Sequence, residues 1–295
     1  MGTSVQLAAS GITDDQLAQV FAAIEEQERR WTRFSATSEL AAINRAQGRP
    51  TVVSADTAAV IGAAIDAWQL TGGRFDPTVH DALIAAGYDR TFDAGPGPAG
   101  PTAPAPGLDD VQVDAELGVV TVPPATRLDL GGIGKGWAAD VAAETLVALG
   151  AETAAVSIGG DVRVAGASVD GWPIQTDQWD EPIGRLSAGG FCFSTIEKRQ
   201  WTIDGSPYHH IIDPATGHPA SGSVRHAAIA AGTAARAEVY ATAAVVAGWP
   251  AAEALLEGAS VDGFVTTDDG VTHVVGTWQL NPSILASPAD RSSRE

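Results

Sequence analysis

Apolar residues recur at helical spacing early in the chain. Leu17, Val20, Phe21, Ile24 and Trp31 form a stripe after Thr13, with Asp14 and Asp15 in the first turn and Glu25 to Arg30 on the polar side. This pattern predicts an amphipathic helix. Phe34-Ser35 breaks it. Ser38 stands as the N-cap of a short helix ending near Ala46. Ser54 caps a longer one, Ala55 to Leu70, with Val60, Ile61, Ala64 and Trp68 inward and Gly72-Gly73 as its stop. Val5 to Leu7 reads as a short strand.

Later in the chain the period shortens. Val111 to Val113 and Val119 to Val122 predict a hairpin about Glu116-Leu117-Gly118. Leu128 to Asp140 reads as a strand end, a glycine turn and a helix start, and Ala138 to Leu149 continues as an alanine-rich helix closed by Gly150. Thr153 to Ile158 predicts a buried strand, turned back by Gly159-Gly160 into Asp161-Val162-Arg163. Pro173 to Thr176, Gly190 to Thr195, Arg199 to Ile203 and Val224 to Ala231 read as strands, and His209 to Pro219 as a polar loop. Ala234 to Gly248 and Ala251 to Glu257 read as helices, and Gly263 to Thr267 with Val271 to Val275 as a closing hairpin. Short connections favour antiparallel pairing. The expected fold class is α+β, with mixed, mostly antiparallel sheets flanked by helices. Residues 1–286 read as a single domain. The Pro/Gly/Ala-rich stretch 94–107 reads as a surface loop or flexible excursion, and is where composition allows a substructure boundary. The polar tail 287–295 is expected to be disordered.

Charge narrows the partners. The formal net charge is −19 over 295 residues, which argues against nucleic acid and anionic membranes as partners. An anionic ligand would need local devices: helix N-termini, a few Lys and Arg, or a divalent cation held by carboxylates. The single cysteine, Cys192, excludes an intrachain disulfide and reads as a small buried hydrophobe. No basic leader or long apolar stretch opens the sequence, so no signal peptide or membrane segment is expected and the cytoplasm is the expected location.

Three places could carry chemistry. Gly131, Gly132, Gly134 and Gly136 crowd one turn, flanked by Asp129 and Lys135. A glycine turn feeding a helix N-terminus suits a phosphate, and it is equally a tight strand-to-helix connection. His209-His210 precede Asp213-Pro214-Ala215-Thr216-Gly217. On extended backbone only one of the two histidines faces a given side. His210 with Asp213 suits a general base and its orienter, but the same residues make a β-turn with a histidine capping backbone. Glu238 and Thr242 share a helix face and suit a hard cation such as Mg²⁺, although a carboxylate near a helix N-terminus also serves the dipole. Asp161 and Arg163 read as a ligand-facing strand end or as an ion pair with each other, and Asp76 as a turn or cleft aspartate.

In chain order, seven segments resemble the motifs of the ApbE family, the FAD:protein FMN transferases. They are Met1-Gly2-Thr3; Phe34-Ser35 with Ser38-Glu39-Leu40 and Ile43-Asn44; Phe75 to Val79; Asp129 to Asp140; Gly159 to Arg163; His210 to Gly217; and Ala237-Glu238 with Thr242. The resemblance implies an ApbE-like fold and a definite reaction. A Ser or Thr hydroxyl of an acceptor flavoprotein attacks the FMN-side phosphorus of FAD, and AMP leaves, with Mg²⁺ as cofactor. It also implies roles. The Gly132 carbonyl, Glu238 and Thr242 would hold Mg²⁺; Asp76, Asp129, Lys135, His210 and Ile211 would contact FAD; Met1, Ala85, Ala86 and Gly87 would line the flavin pocket; His210 with Asp213 would be catalytic. Glu238 stands where the family usually has Asp, and Ser194-Thr195-Ile196-Glu197 where it commonly reads A-T-S-G. Two other activities fit the same site: an FAD pyrophosphatase giving FMN and AMP, and a non-catalytic FAD-binding protein.

Overall fold

A computed structural model describes residues 3–176, 181–278 and 281. Met1 and the tail 287–295 lie outside the described residues. In chain order the elements begin with β1 (Val5–Ala9), α1 (Asp14–Trp31), α2 (Glu39–Arg45), β2 (Thr51–Val52), α3 (Ala55–Leu70), α4 (His80–Ala85), β3 (Gln112–Asp114) and β4 (Val119–Thr121). They continue with α5 (Gly134–Ala148), β5 (Thr153–Ile158), β6 (Asp161–Gly166), β7 (Trp172–Ile174), β8 (Gly184–Leu186), β9 (Gly189–Thr195), β10 (Gln200–Ile203) and β11 (Ser206–His209). β12 (Val224–Ala231), α6 (Ala234–Ala247), α7 (Ala251–Gly258), β13 (Asp262–Thr267) and β14 (Thr272–Val275) close the chain. The α+β class with antiparallel sheets is as the sequence predicts. The chain divides into two units: one of Met1–Gly2, Ala23–Gly134 and Ile196–Ser221, the other of Thr3–Ala22, Lys135–Thr195 and Gly222–Glu295.

The second unit is built on a seven-stranded sheet in the order β1-β5-β6-β9-β12-β13-β14. Every neighbouring pair is antiparallel. Along β5 burial alternates, with Ala154, Val156 and Ile158 inward, the period of a strand with one face on a core. Phe191 and Phe264 are fully buried among Val164, Ile174, Ile183 and Ala228. Each such ring contributes about 1.5–3 kcal/mol relative to an exposed one. Helix α6 is mostly alanine and valine and is buried almost throughout. Its small side chains let it lie close to β9. A Cβ on Gly190 would stand 2.1 Å from the Ala234 nitrogen.

In the first unit, helices surround small ladders. The Ser38 and Ser54 side chains accept from Ala41 N and Thr57 N, so both predicted N-caps form. Trp31 Nε1 donates to Thr57 Oγ1 at 2.9 Å. Asn44 bonds both backbone groups of Leu128, at 2.8 and 2.9 Å, and so fixes the entry to the glycine turn. In this unit α4 and β2 were not predicted, nor was β11, which pairs with β10 where the sequence suggested only the start of a polar loop; β8 in the other unit was not predicted either. The stretch 94–107 lies within this unit. Its polar backbone is tied to the fold: Gly97 N donates to Gly87 O, Gly100 N to Ala85 O and Ala105 N to Pro214 O, each at 2.8 Å. Gly107 N reaches Thr78 Oγ1 at 3.0 Å. Proline and glycine give this stretch its irregular path, and most of its residues are exposed, as the surface-loop reading expects.

Candidate active site

In the second unit, two helix starts and a strand start converge. The first turn of α5 supplies Lys135 and Gly136, the start of β6 supplies Asp161, and the second turn of α6 supplies Glu238. Lys135 Nζ lies 2.7 Å from Asp161 Oδ2 and also pairs with Glu238 Oε1. The other Glu238 oxygen accepts from Gly136 N at 2.8 Å. Glu238 is 1% exposed and Asp161 2%. One ammonium thus faces two buried carboxylates. Burial opposes the Lys135 charge, but Asp161 and Glu238 outweigh it and hold the group protonated. Burial pushes the Glu238 carboxyl up to about 8, against the pull of Lys135 and with a further push from Asp161. Thr242 follows one turn later on α6, half-buried. Burial, and then the two carboxylates, raise the Cys192 thiol, so it stays neutral, as its reading as a small hydrophobe predicts.

Asp161 and Arg163 do not pair with each other. Asp161 meets Lys135, while Arg163 Nε meets Asp140 Oδ1 at 3.1 Å. The Asp140 carboxylate also accepts from Ala234 N at 2.8 Å and Ala235 N at 2.9 Å, the first backbone donors of α6.

The first unit holds the other sequence-predicted residues. Asp129 Oδ2 pairs with Arg33 Nε at 2.8 Å, and Asp129 Oδ1 accepts from Gly131 N at 2.7 Å. Arg33 lies over the rings of Phe34 and Tyr88, at 4.3 and 4.5 Å. This holds the turn that carries Gly132, which packs on the Phe75 ring. Asp76 is buried, and its Oδ1 accepts from Thr78 N and Thr78 Oγ1 at 2.7 and 2.6 Å. Burial raises its carboxyl. Ala85, Ala86 and Gly87 end α4. The Ala86 carbonyl accepts from Trp201 Nε1 at 2.8 Å. A cavity of about 660 Å³ is lined by residues that include Arg33, Arg45, Arg127 and His80; Arg33 pairs with Asp129, and Arg127 Nε lies 3.4 Å from Asp81 Oδ1.

The last residue of β11 is His209, and His210 follows it. His209 Nε2 meets Ala220 O at 3.0 Å and His209 Nδ1 accepts from Ile211 N. Burial lowers its pKa, so His209 is a neutral structural residue. His210 N donates to Arg199 O at 3.3 Å. Ile211 is buried. The Asp213 carboxylate accepts from Ala215 N and Thr216 Oγ1, at 3.0 and 3.1 Å, and the Asp213 carbonyl takes Gly217 N. Pro214 folds the chain back over Asp213, so the turn reading holds for this carboxylate, and both its oxygens serve the turn.

The residue pattern is reflected in known proteins. The family model described as "ApbE family" matches residues 1–265. The chain belongs to the ApbE family. Among its relatives, the FAD:protein FMN transferase of Treponema pallidum is 32% identical over 267 residues, covering 81% of this chain and 73% of that protein. The crystal structure of the ApbE protein of Thermotoga maritima aligns with a TM-score of 0.76 at 29% identity, covering 93% of this chain and 94% of that one. The flavin transferase ApbE of Vibrio cholerae aligns at 0.75 and 27%, with the same coverage.

Within the ApbE motifs, Lys135 and Glu238 meet in one unit, and Asp129, Gly132, Asp76, His210 and Ile211 belong to the other. The structure adds residues to which the sequence assigned no role. Asp140 was read only as the last residue of the glycine-turn motif, and Arg33, just past the first helix, gave no signal. Asp161 had one: an aspartate after a double glycine at a strand start.

Proposed function

We propose that this chain transfers the FMN moiety of FAD to a Ser or Thr hydroxyl of an acceptor protein, in a Mg²⁺-dependent reaction that releases AMP. The acceptor oxygen bonds to the FMN-side phosphorus, the bond from that phosphorus to the bridging oxygen breaks, and AMP leaves with that oxygen. The hydroxyl proton passes to a base, for which His210 is the candidate, its neighbour His209 being committed to backbone. The observation that carries the reading is the buried cluster of Lys135, Asp161 and Glu238, built from ApbE motifs. Membership of a family whose named relatives are FAD:protein FMN transferases supports it.

The donor set fits a hard cation. Two buried carboxylates already converge on one positive charge, and a hydroxyl follows one turn on. Among the described residues no group of three or more His, Cys, Asp or Glu gathers, so phosphate oxygens, waters or backbone must complete the shell. Glu238 and Thr242 would hold Mg²⁺. When bound, it would offset negative charge on the phosphate oxygens. Lys135 supplies a fixed positive charge beside it, and Asp129 keeps the glycine turn in place.

The test is incubation with FAD and Mg²⁺, with and without an acceptor protein. AMP formed only with acceptor is the expected result. AMP formed without acceptor would assign FAD hydrolysis instead. Bound flavin with no AMP would make the chain a flavin-binding protein.

A further inference from the structure

The starts of α5 and α6 cap each other. A helix leaves its first backbone N–H groups without partners inside the helix. In α6, Ala234 N and Ala235 N go to the two oxygens of Asp140, on α5. Arg236 N goes to the local N-cap, Thr233 Oγ1, at 3.2 Å. In return, Gly136 N of α5 goes to Glu238 of α6 at 2.8 Å. The contact is close enough that a Cβ on Gly136 would stand 2.6 Å from Ala234 C and O and Ala235 N. Arg163 closes the arrangement, with Nε on Asp140 and Nη1 on the Gly232 carbonyl at 3.0 Å, just before α6.

A local hydroxyl such as that of Thr233 caps a helix without fixing it to anything else. Asp140 differs, because it comes from the helix that carries Lys135. Asp140 as a residue is 8% exposed, and such burial is costly unless the charge is compensated. Two backbone donors at a positive helix end and the Arg163 guanidinium offset part of that cost, though burial still raises the carboxyl. What this gains is registration: it sets the height of α6 against α5, and so the place of Glu238 relative to Lys135 and Asp161.

We infer that Asp140 is a positioning residue for flavin transfer, acting through helix α6 on Glu238 and Thr242. The inference rests on the flavin-transfer reading above.

The experiment compares wild type, Asp140→Ala, Asp140→Asn and Thr233→Ala. It reads AMP release (kcat, and KM for FAD), Mg²⁺ affinity by calorimetry with FAD present, and Tm. Asp140→Ala should lower kcat and weaken Mg²⁺ binding about 10- to 100-fold, as loss of groups supporting a metal ligand does. KM for FAD should change far less. Asp140→Asn, which keeps the shape and one acceptor, should recover part of both losses. Thr233→Ala removes a cap from the same helix and should lower Tm while leaving kcat and Mg²⁺ affinity near wild type. If Asp140→Ala does not fold, Asp140→Asn against Thr233→Ala decides. Asp140 variants that keep wild-type kcat and Mg²⁺ affinity, or lose no more than Thr233→Ala at equal Tm, overturn the inference and leave the activity standing. A wild-type protein that releases no AMP from FAD overturns the activity and the inference with it.

Discussion

Glu238 carries the most at the residue scale. Its side chain reaches both Lys135 Nζ and Gly136 N. Because its folded-state value is raised to about 8, it favours the folded protein below the ordinary carboxylate range, and that contribution is lost as pH rises through about 8. Metal binding to Glu238 must release its proton. Mg²⁺ affinity should therefore strengthen with rising pH, by up to about tenfold per unit, and level off above about pH 8. Calorimetry across pH checks this, and Glu238→Gln should bind Mg²⁺ weakly with no such slope. Activity should be lost with it; an active Glu238→Gln protein would remove Glu238 from the metal site. His210→Ala should keep FAD binding, read by flavin fluorescence, while transfer slows about a hundredfold or more. Unchanged turnover would make His210 structural, like its neighbour.

At the scale of elements, the meeting of α5, α6 and β9 depends on two glycines. Gly136 and Gly190 each let the backbone at the start of α6 lie where a side chain would stand. Gly136→Ala should destabilise by at least about 2 kcal/mol, because backbone rather than a movable side chain lies in the way, and chemical denaturation measures it. The glycine stretch was legible as a turn into a helix, and Ser38, Ser54 and the alternation on β5 were legible as caps and strand. Local signals of that kind survive because the residue and its partner lie within one element. Asp140, Arg33 and the ties of 94–107 were not legible. Asp140 finds its partners 94 and 95 residues away, and nothing local to either end announces the match. Asp213 shows the converse: its local turn signal was sound, and its carboxylate oxygens accept from Ala215 N and Thr216 Oγ1 within that turn.

For the whole molecule, the net charge of −19 makes the gathered cations informative. The arginines Arg33, Arg45 and Arg127 line one cavity in the first unit, and Lys135 is buried between carboxylates in the second. An acidic protein that takes up a pyrophosphate needs such local positive charge. The sequence match spans both units, since the family model covers residues 1–265. The central claim is that the chain moves FMN rather than merely holding or cleaving FAD. The most direct measurement is the ratio of AMP released to flavin bound covalently to an acceptor protein, by chromatography and intact mass in one reaction with FAD and Mg²⁺. Flavin transfer predicts equal amounts, with FMN added at a Ser or Thr; AMP without covalent flavin, or neither product, would contradict it.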